Sequence, residues 1–179
     1  MPTAAAIVTE TALVTWKMPS DQVFELALEN TLADVQAALE VIHLADDALS
    51  GVHMFTGGHY ATSHLLALDR TPGLTGVCGS IAAVPHRHLL VVVPLNDAMS
   101  LDEVARIAPA VDSSNAAGAE PLSRDLFWVS ETGIVRLETL QLGGVTAIVP
   151  PQEFMSAVNR NNQDGRGDAL AGSRTTLGG

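Results

Sequence analysis

Disulfide pairing is excluded from the start, because Cys78 is the only cysteine in 179 residues. A reducing compartment is the simpler setting for such a chain. Permanent cations are equally scarce. Lysine and arginine total 9 against 20 aspartates and glutamates, giving a formal net charge of −11. Neutralising nucleic-acid phosphates needs a cationic stripe, and an anionic membrane surface repels an acidic chain. Neither nucleic acid nor membrane is therefore an expected partner. The longest strongly apolar run, "HLLVVVPL" (88–95), is far short of the roughly 20 residues that cross a bilayer. The opening "MPTAAAIVTETALVTW" has no basic segment and carries Glu10, so it does not read as a signal peptide. Both G-x-G-x-x-G and G-x-x-x-x-G-K-[ST] are missing, which removes the common phosphate-cradling loops. The expectation is a cytoplasmic protein with no cofactor.

What the chain has is apolar side chains, at 47%, with only 16% charged residues. That composition offsets the entropy of ordering and excludes a disordered chain. It also leaves little charge to cover the surface, so part of the apolar area is expected to meet another protein or a second copy.

Strands are expected at 5–16, from its β-branched content, and at 50–58, ending in the Gly57–Gly58 pair. Residues 20–44 show apolar positions three and four apart, including Val23, Leu26, Ala27, Val35, Leu39 and Ile42. This predicts an amphipathic helix capped by Ser20, with a break near Asn30–Thr31. A helix over 59–70 is stopped by "TPG" (71–73). "GSIAAVP" and "HLLVVVPL" form a hairpin through "PHRH". Ser100 and Glu103 form a capping box for a helix that weakens at Pro109. Residues 113–121 read as loop, 126–140 as two strands around "SETG", and "VTAIVP" as another strand. "PQEFMSAV" is a short helix opened by proline. Residues 1–158 thus form one α+β domain, a mostly antiparallel sheet with helices packed on one face. The polar, glycine-rich 159–179 read as a disordered tail.

Four of the six histidines fall in two clusters, "TGGHYATSH" (56–64) and "VPHRH" (84–88). His86 and His88, two apart, share one side of a strand. His59 and His64, five apart, stand about 140° apart on a helix. A metal site from His86, His88 and one of His53, His59 or His64 is conceivable. So is an anion pocket in which the Gly57–Gly58 turn offers backbone N–H groups beside His59, Tyr60 and Arg87. Either would make a small-molecule or metal-binding enzyme. There His59 and His86 serve as acid/base groups or ligands, and Arg87 orients an anion. The bland alternatives weigh more. Glycine suits a strand-to-helix turn on steric grounds alone, and imidazoles in loops are usually solvated. Cys78 sits in an apolar run without an activating base and reads as a packing residue. The adjacent acids Asp46–Asp47 and Asp102–Glu103 read as solvated faces or helix-dipole complements. Phe127 and Trp128 face opposite sides of one strand, which makes either a candidate interface anchor.

The order "VFELALEN", "GHYATSHLLALD", "SIAAVPHRHLLVVVPLND" resembles the bacterial family of YtpQ-like proteins over about residues 20–97. That pattern runs from a helix through a glycine and aromatic turn into a second helix, and then to an "AVPNRD"-like turn between two apolar strands. His86 and His88 stand where it carries asparagine and aspartate, so carry-over is limited to Pro85 and Arg87. The resemblance implies an α+β fold, and the family has no settled activity to transfer. The leading expectation is a non-catalytic protein acting by protein–protein binding or self-association, with the histidine pocket as its alternative.

Overall fold

The computed structural model describes residues 8–33, 38–43, 50–57, 60–95, 104–143, 145–157 and 159. Residues 160–179 of the expected tail, Gly58, His59, Ser100, Glu103 and both acidic pairs lie outside the described residues. The architecture is α+β, as the sequence implies. Seven strands form one sheet in the order β1-β2-β4-β3-β5-β6-β7. They are β1 (Ala38–His43), β2 (Ser50–Thr56), β3 (Ser80–His86), β4 (Leu89–Pro94), β5 (Leu126–Ser130), β6 (Gly133–Leu142) and β7 (Val145–Val149). All paired neighbours run antiparallel. No helix among the described residues is long and apolar enough to cross a membrane.

The central hairpin β3–β4 explains the uninterrupted apolar run. Leu89, Val91 and Val93 join Ile81 and Ala83 in one core cluster, while Leu90 and Val92 join Ala82 in another. A strand buried on both faces needs no polar alternation. Both faces therefore carry helical cover, where a single covered face was expected. Helix α3 (Ile107–Ala117) packs Ile107 and Val111 on the first face, joined by Phe154 from the helical segment 152–157. The 3-10 helix η1 (Ala61–Arg70), kinked at Ala67, packs Ala61 and Leu68 on the other.

Three local expectations fail for identifiable reasons. Residues 10–16 form helix α1 (Glu10–Trp16), not a strand, because Thr9 caps it by accepting from the Ala12 N–H at 3.2 Å. Thr15 bonds back to the Thr11 carbonyl, which quiets its hydroxyl inside the helix. Helix α2 (Ser20–Leu32) stops where a break was expected, but the chain then enters β1 instead of a second helical stretch. Pro19, and not Ser20, occupies its N-cap. In the third case α3 runs through Pro109 and over 113–117, which the composition marked as loop. Pro109 is the third helical residue, where the N–H has no intrahelical acceptor to lose. The buried Asn115 anchors the rest: its Nδ2 donates to the Pro85 carbonyl at 2.6 Å, and its Oδ1 accepts from Arg124 Nε at 3.0 Å.

Candidate functional site

The two histidine-bearing rims lie at the same end of the sheet. Thr56 pairs with Leu89, and Leu89 pairs with His86. The end of β2 is therefore two strand spacings, about 10 Å, from the end of β3. His59 lies outside the described residues, so one wall of the expected pocket carries no geometry.

The "PHRH" turn itself is bound into the chain that follows α3. The Arg87 N–H donates to the Glu120 carbonyl at 3.2 Å, and its guanidinium pairs with the Glu120 carboxylate at 3.0 Å. The Leu122 and Ser123 N–H groups donate to the Pro85 and Val84 carbonyls. The imidazole of His86 accepts the His88 N–H on Nδ1 at 3.3 Å and lies against Gly118. Arg87 thus fastens the crossover segment, and the His86 ring packs beside it. Among the described residues no group of three or more His, Cys, Asp or Glu side chains is placed to hold a metal.

Two further imidazoles are placed at the sheet. His64 is buried and stacks on Phe55 with ring centroids 4.6 Å apart. His53, on β2, has a buried Nδ1 without a hydrogen bond among the described residues, and desolvation lowers its pKa below the usual 6.5. Cys78 is buried, its sulfur 3.9 Å from the Ala157 carbonyl, which suits packing.

Trp128, expected as an interface anchor, is a core residue at 3% exposure. Its Nε1 donates to the Cys78 carbonyl at 2.9 Å, and its ring meets Phe154 edge-on at 5.5 Å. A strand between two partners buries the larger ring on its better-filled face. Phe127, on the opposite side, is half-buried.

The exposed apolar surface is elsewhere. Helix α1 buries no residue and α2 buries only Leu28. Against α2 lies η1, and between them opens a groove of about 490 Å³, walled by Phe24, Ala27, Leu28, Tyr60 and Leu66. Phe24 is 51% exposed, Leu66 50% and Tyr60 42%; Trp16 on α1, outside the groove lining, is 52% exposed. Asn30, Thr31 and Ser63 complete the lining, which contains no charged residue. Adjoining it round α2, Asp21, Glu25 and Glu29 line a shallower groove, with Arg70 of η1 bonded to Glu25 at 2.7 Å. The periodicity in 20–32 marked an amphipathic helix correctly, yet gave no sign that η1 covers only the Leu28 stripe. No protein-family model matches the chain, and neither the curated proteins nor the solved structures include one that matches it.

Proposed function

We propose that this protein is a non-catalytic cytoplasmic binding protein, acting through contact with another polypeptide or with its own copy. One observation carries the reading: α1 and α2 hold twenty residues between them, bury a single side chain, and leave Trp16, Phe24 and Leu26 about half in solvent. Of these, Phe24 lines the uncharged groove with Tyr60 and Leu66, and apolar side chains so placed are more favourable against a partner than in water. The resemblance to YtpQ-like proteins belongs to the same proposal and adds no reaction to it. The test combines light scattering over a concentration series with capture on immobilised protein, each repeated with Phe24→Asp. A chain that stays monomeric throughout and captures nothing that the substitution removes refutes the reading.

A second reading, a small-molecule or metal-binding enzyme using His59, His86, His88 and Arg87, draws support from the register that brings Thr56, Leu89 and His86 to one sheet end. Metal analysis of the purified protein, with His86→Ala alongside, tests it. Metal bound stoichiometrically and lost on substitution favours this reading over the first.

A further inference from the structure

We propose that the outer edge of β7 pairs with itself: two copies join antiparallel about a two-fold axis at Ala147, and the sheet runs on from one chain into the next. This surface shares no residue with the α2–η1 groove.

β7 ends the sheet, and among the described residues its only strand partner is β6. The turns decide which backbone groups it leaves outward. Two residues separate Leu142 from its register partner Val145, the spacing of a β-turn, in which the first C=O accepts the fourth N–H. Val145 therefore turns its backbone groups to β6. Alternation sends those of Ala147 and Val149 the same way and those of Thr146 and Ile148 outward. The two residues between Ser130 and Gly133 give the same parity from the other side, with odd residues of β6 bonded to β5 and even ones to β7. Devices that blunt an edge are absent from this strand. No charge lies between Glu138 and Pro150, and β7 holds no proline and no register shift. The opposite edge strand, β1, carries Glu40 and a register shift before His43.

Register selects a second copy as the occupant. A two-fold axis at Ala147 sets Thr146 against Ile148 of the partner subunit and Ile148 against the partner's Thr146. Every outward group of β7 then meets an outward group, in about four hydrogen bonds. The sequence "VTAIV" reads alike in both directions in size and branching: a valine at each end, Thr146 and Ile148 inside them, and the small Ala147 at the axis. There the two Cα atoms approach to about 4.5 Å. Leu140, the register partner of Ala147, is 42% exposed, and Val149 is 40% exposed. Pairing lines up Leu140, Ala147 and their two counterparts as one cross-strand row on a single face, covering apolar surface that one chain leaves in water. Charge does not oppose it. Glu138, the acid of β6 beside the strand, stands opposite Val149, and its two copies come no nearer than about 20 Å, beyond a screening length of about 8 Å. An unrelated extended segment can make the same bonds, but only a copy always brings the matching alternation and the small residue at the crossing point.

β7 has five residues, so the contact is small and the dimer weak and concentration-dependent. Sedimentation velocity on the full chain, from about 1 μM to about 1 mM, should show it forming reversibly. Thr146→Pro removes an outward N–H and spares those facing β6, and should weaken the dimer about tenfold or more. Phe24→Asp should leave it unchanged. Circular dichroism monitors folding, and Ala147→Lys, which sets two like charges together at the axis, repeats the test if Thr146→Pro misfolds. Cross-linking with oxidised glutathione reads the register. Ala147→Cys should give a disulfide-linked dimer, its Cα atoms being about 4.5 Å apart, while Thr146→Cys, at about 8 Å, should not. The native chain, with Cys78 buried, supplies the background. A monomer at every concentration overturns the proposal. So does a dimer indifferent to both β7 substitutions, or equal cross-linking at 146 and 147. A monomer that captures a foreign polypeptide through Thr146 overturns self-pairing as well. A dimer lost with Phe24→Asp and kept with Thr146→Pro overturns it while leaving the binding reading standing.

Discussion

Replacing Gly118 with alanine isolates what His86 does. Gly118 closes α3 with φ −75° and ψ 146°, values open to any residue, so the backbone does not require glycine. Space does. A Cβ placed there would stand 2.5 Å from Cγ of His86 and 2.7 Å from its Cβ, at the base of the side chain where rotation gives little relief. Overpacking of this kind costs about 1–3 kcal/mol, offset by the roughly 0.4–1 kcal/mol that alanine gains over glycine by restricting the unfolded chain. The net expectation is a loss of about 1–2 kcal/mol, or roughly 2–8 °C in Tm for a chain of this size. In a His86→Ala background the ring is gone and most of the collision with it. Gly118→Ala should then cost clearly less without becoming neutral, because the 2.7 Å approach to the remaining Cβ persists beside the entropic gain. Urea unfolding of the four proteins of this cycle, read by circular dichroism at one pH, gives the coupling directly. Equal costs in both backgrounds, or stabilisation by Gly118→Ala alone, would refute the packing role assigned to His86.

Other expectations follow from the same geometry. Arg87→Ala should cost less than about 1 kcal/mol, since its pair with Glu120 is exposed on both sides and the backbone link survives; a urea midpoint shift well beyond that would indicate a larger role. Trp128 should be inaccessible to iodide and Trp16 quenched, so a Trp16→Phe protein should show blue-shifted, poorly quenched emission. Strong quenching there would return Trp128 to the surface. Trp128→Phe should destabilise by about 1–3 kcal/mol, because the Cys78 carbonyl loses its indole donor in a buried site. His53 is held neutral by burial, so the stability it contributes is present above pH 6.5 and declines as pH falls from there towards its lowered folded value. His53→Gln should flatten the stability profile across that window, and an unchanged slope in melts at successive pH values would contradict it.

The hairpins were legible from residues close in the chain. "SETG" between β-branched runs specifies β5–β6, and the apolar pair around "PHRH" specifies β3–β4, because turn chemistry and strand preference act within a few residues. A helix from Ser20 and a break near Thr31 were legible for the same reason, although the helix was read on to residue 44. Local signals were ambiguous at 10–16 and 38–43, where branched apolar residues fit either period. One side-chain cap decided the first, and pairing with β2 the second. Function-bearing distinctions came from further away. Asn115 holds a helix through loop-like sequence by bonding thirty residues back to Pro85. Gly118 and Glu120 turn "PHRH" into a fastening point rather than an open rim. Sequence alone therefore determined that the protein is an acidic α+β chain with more apolar surface than its charge can cover. Only tertiary packing decided that Trp128 goes inside and Phe24 stays in solvent, since which apolar side chains are covered depends on partners no local pattern encodes.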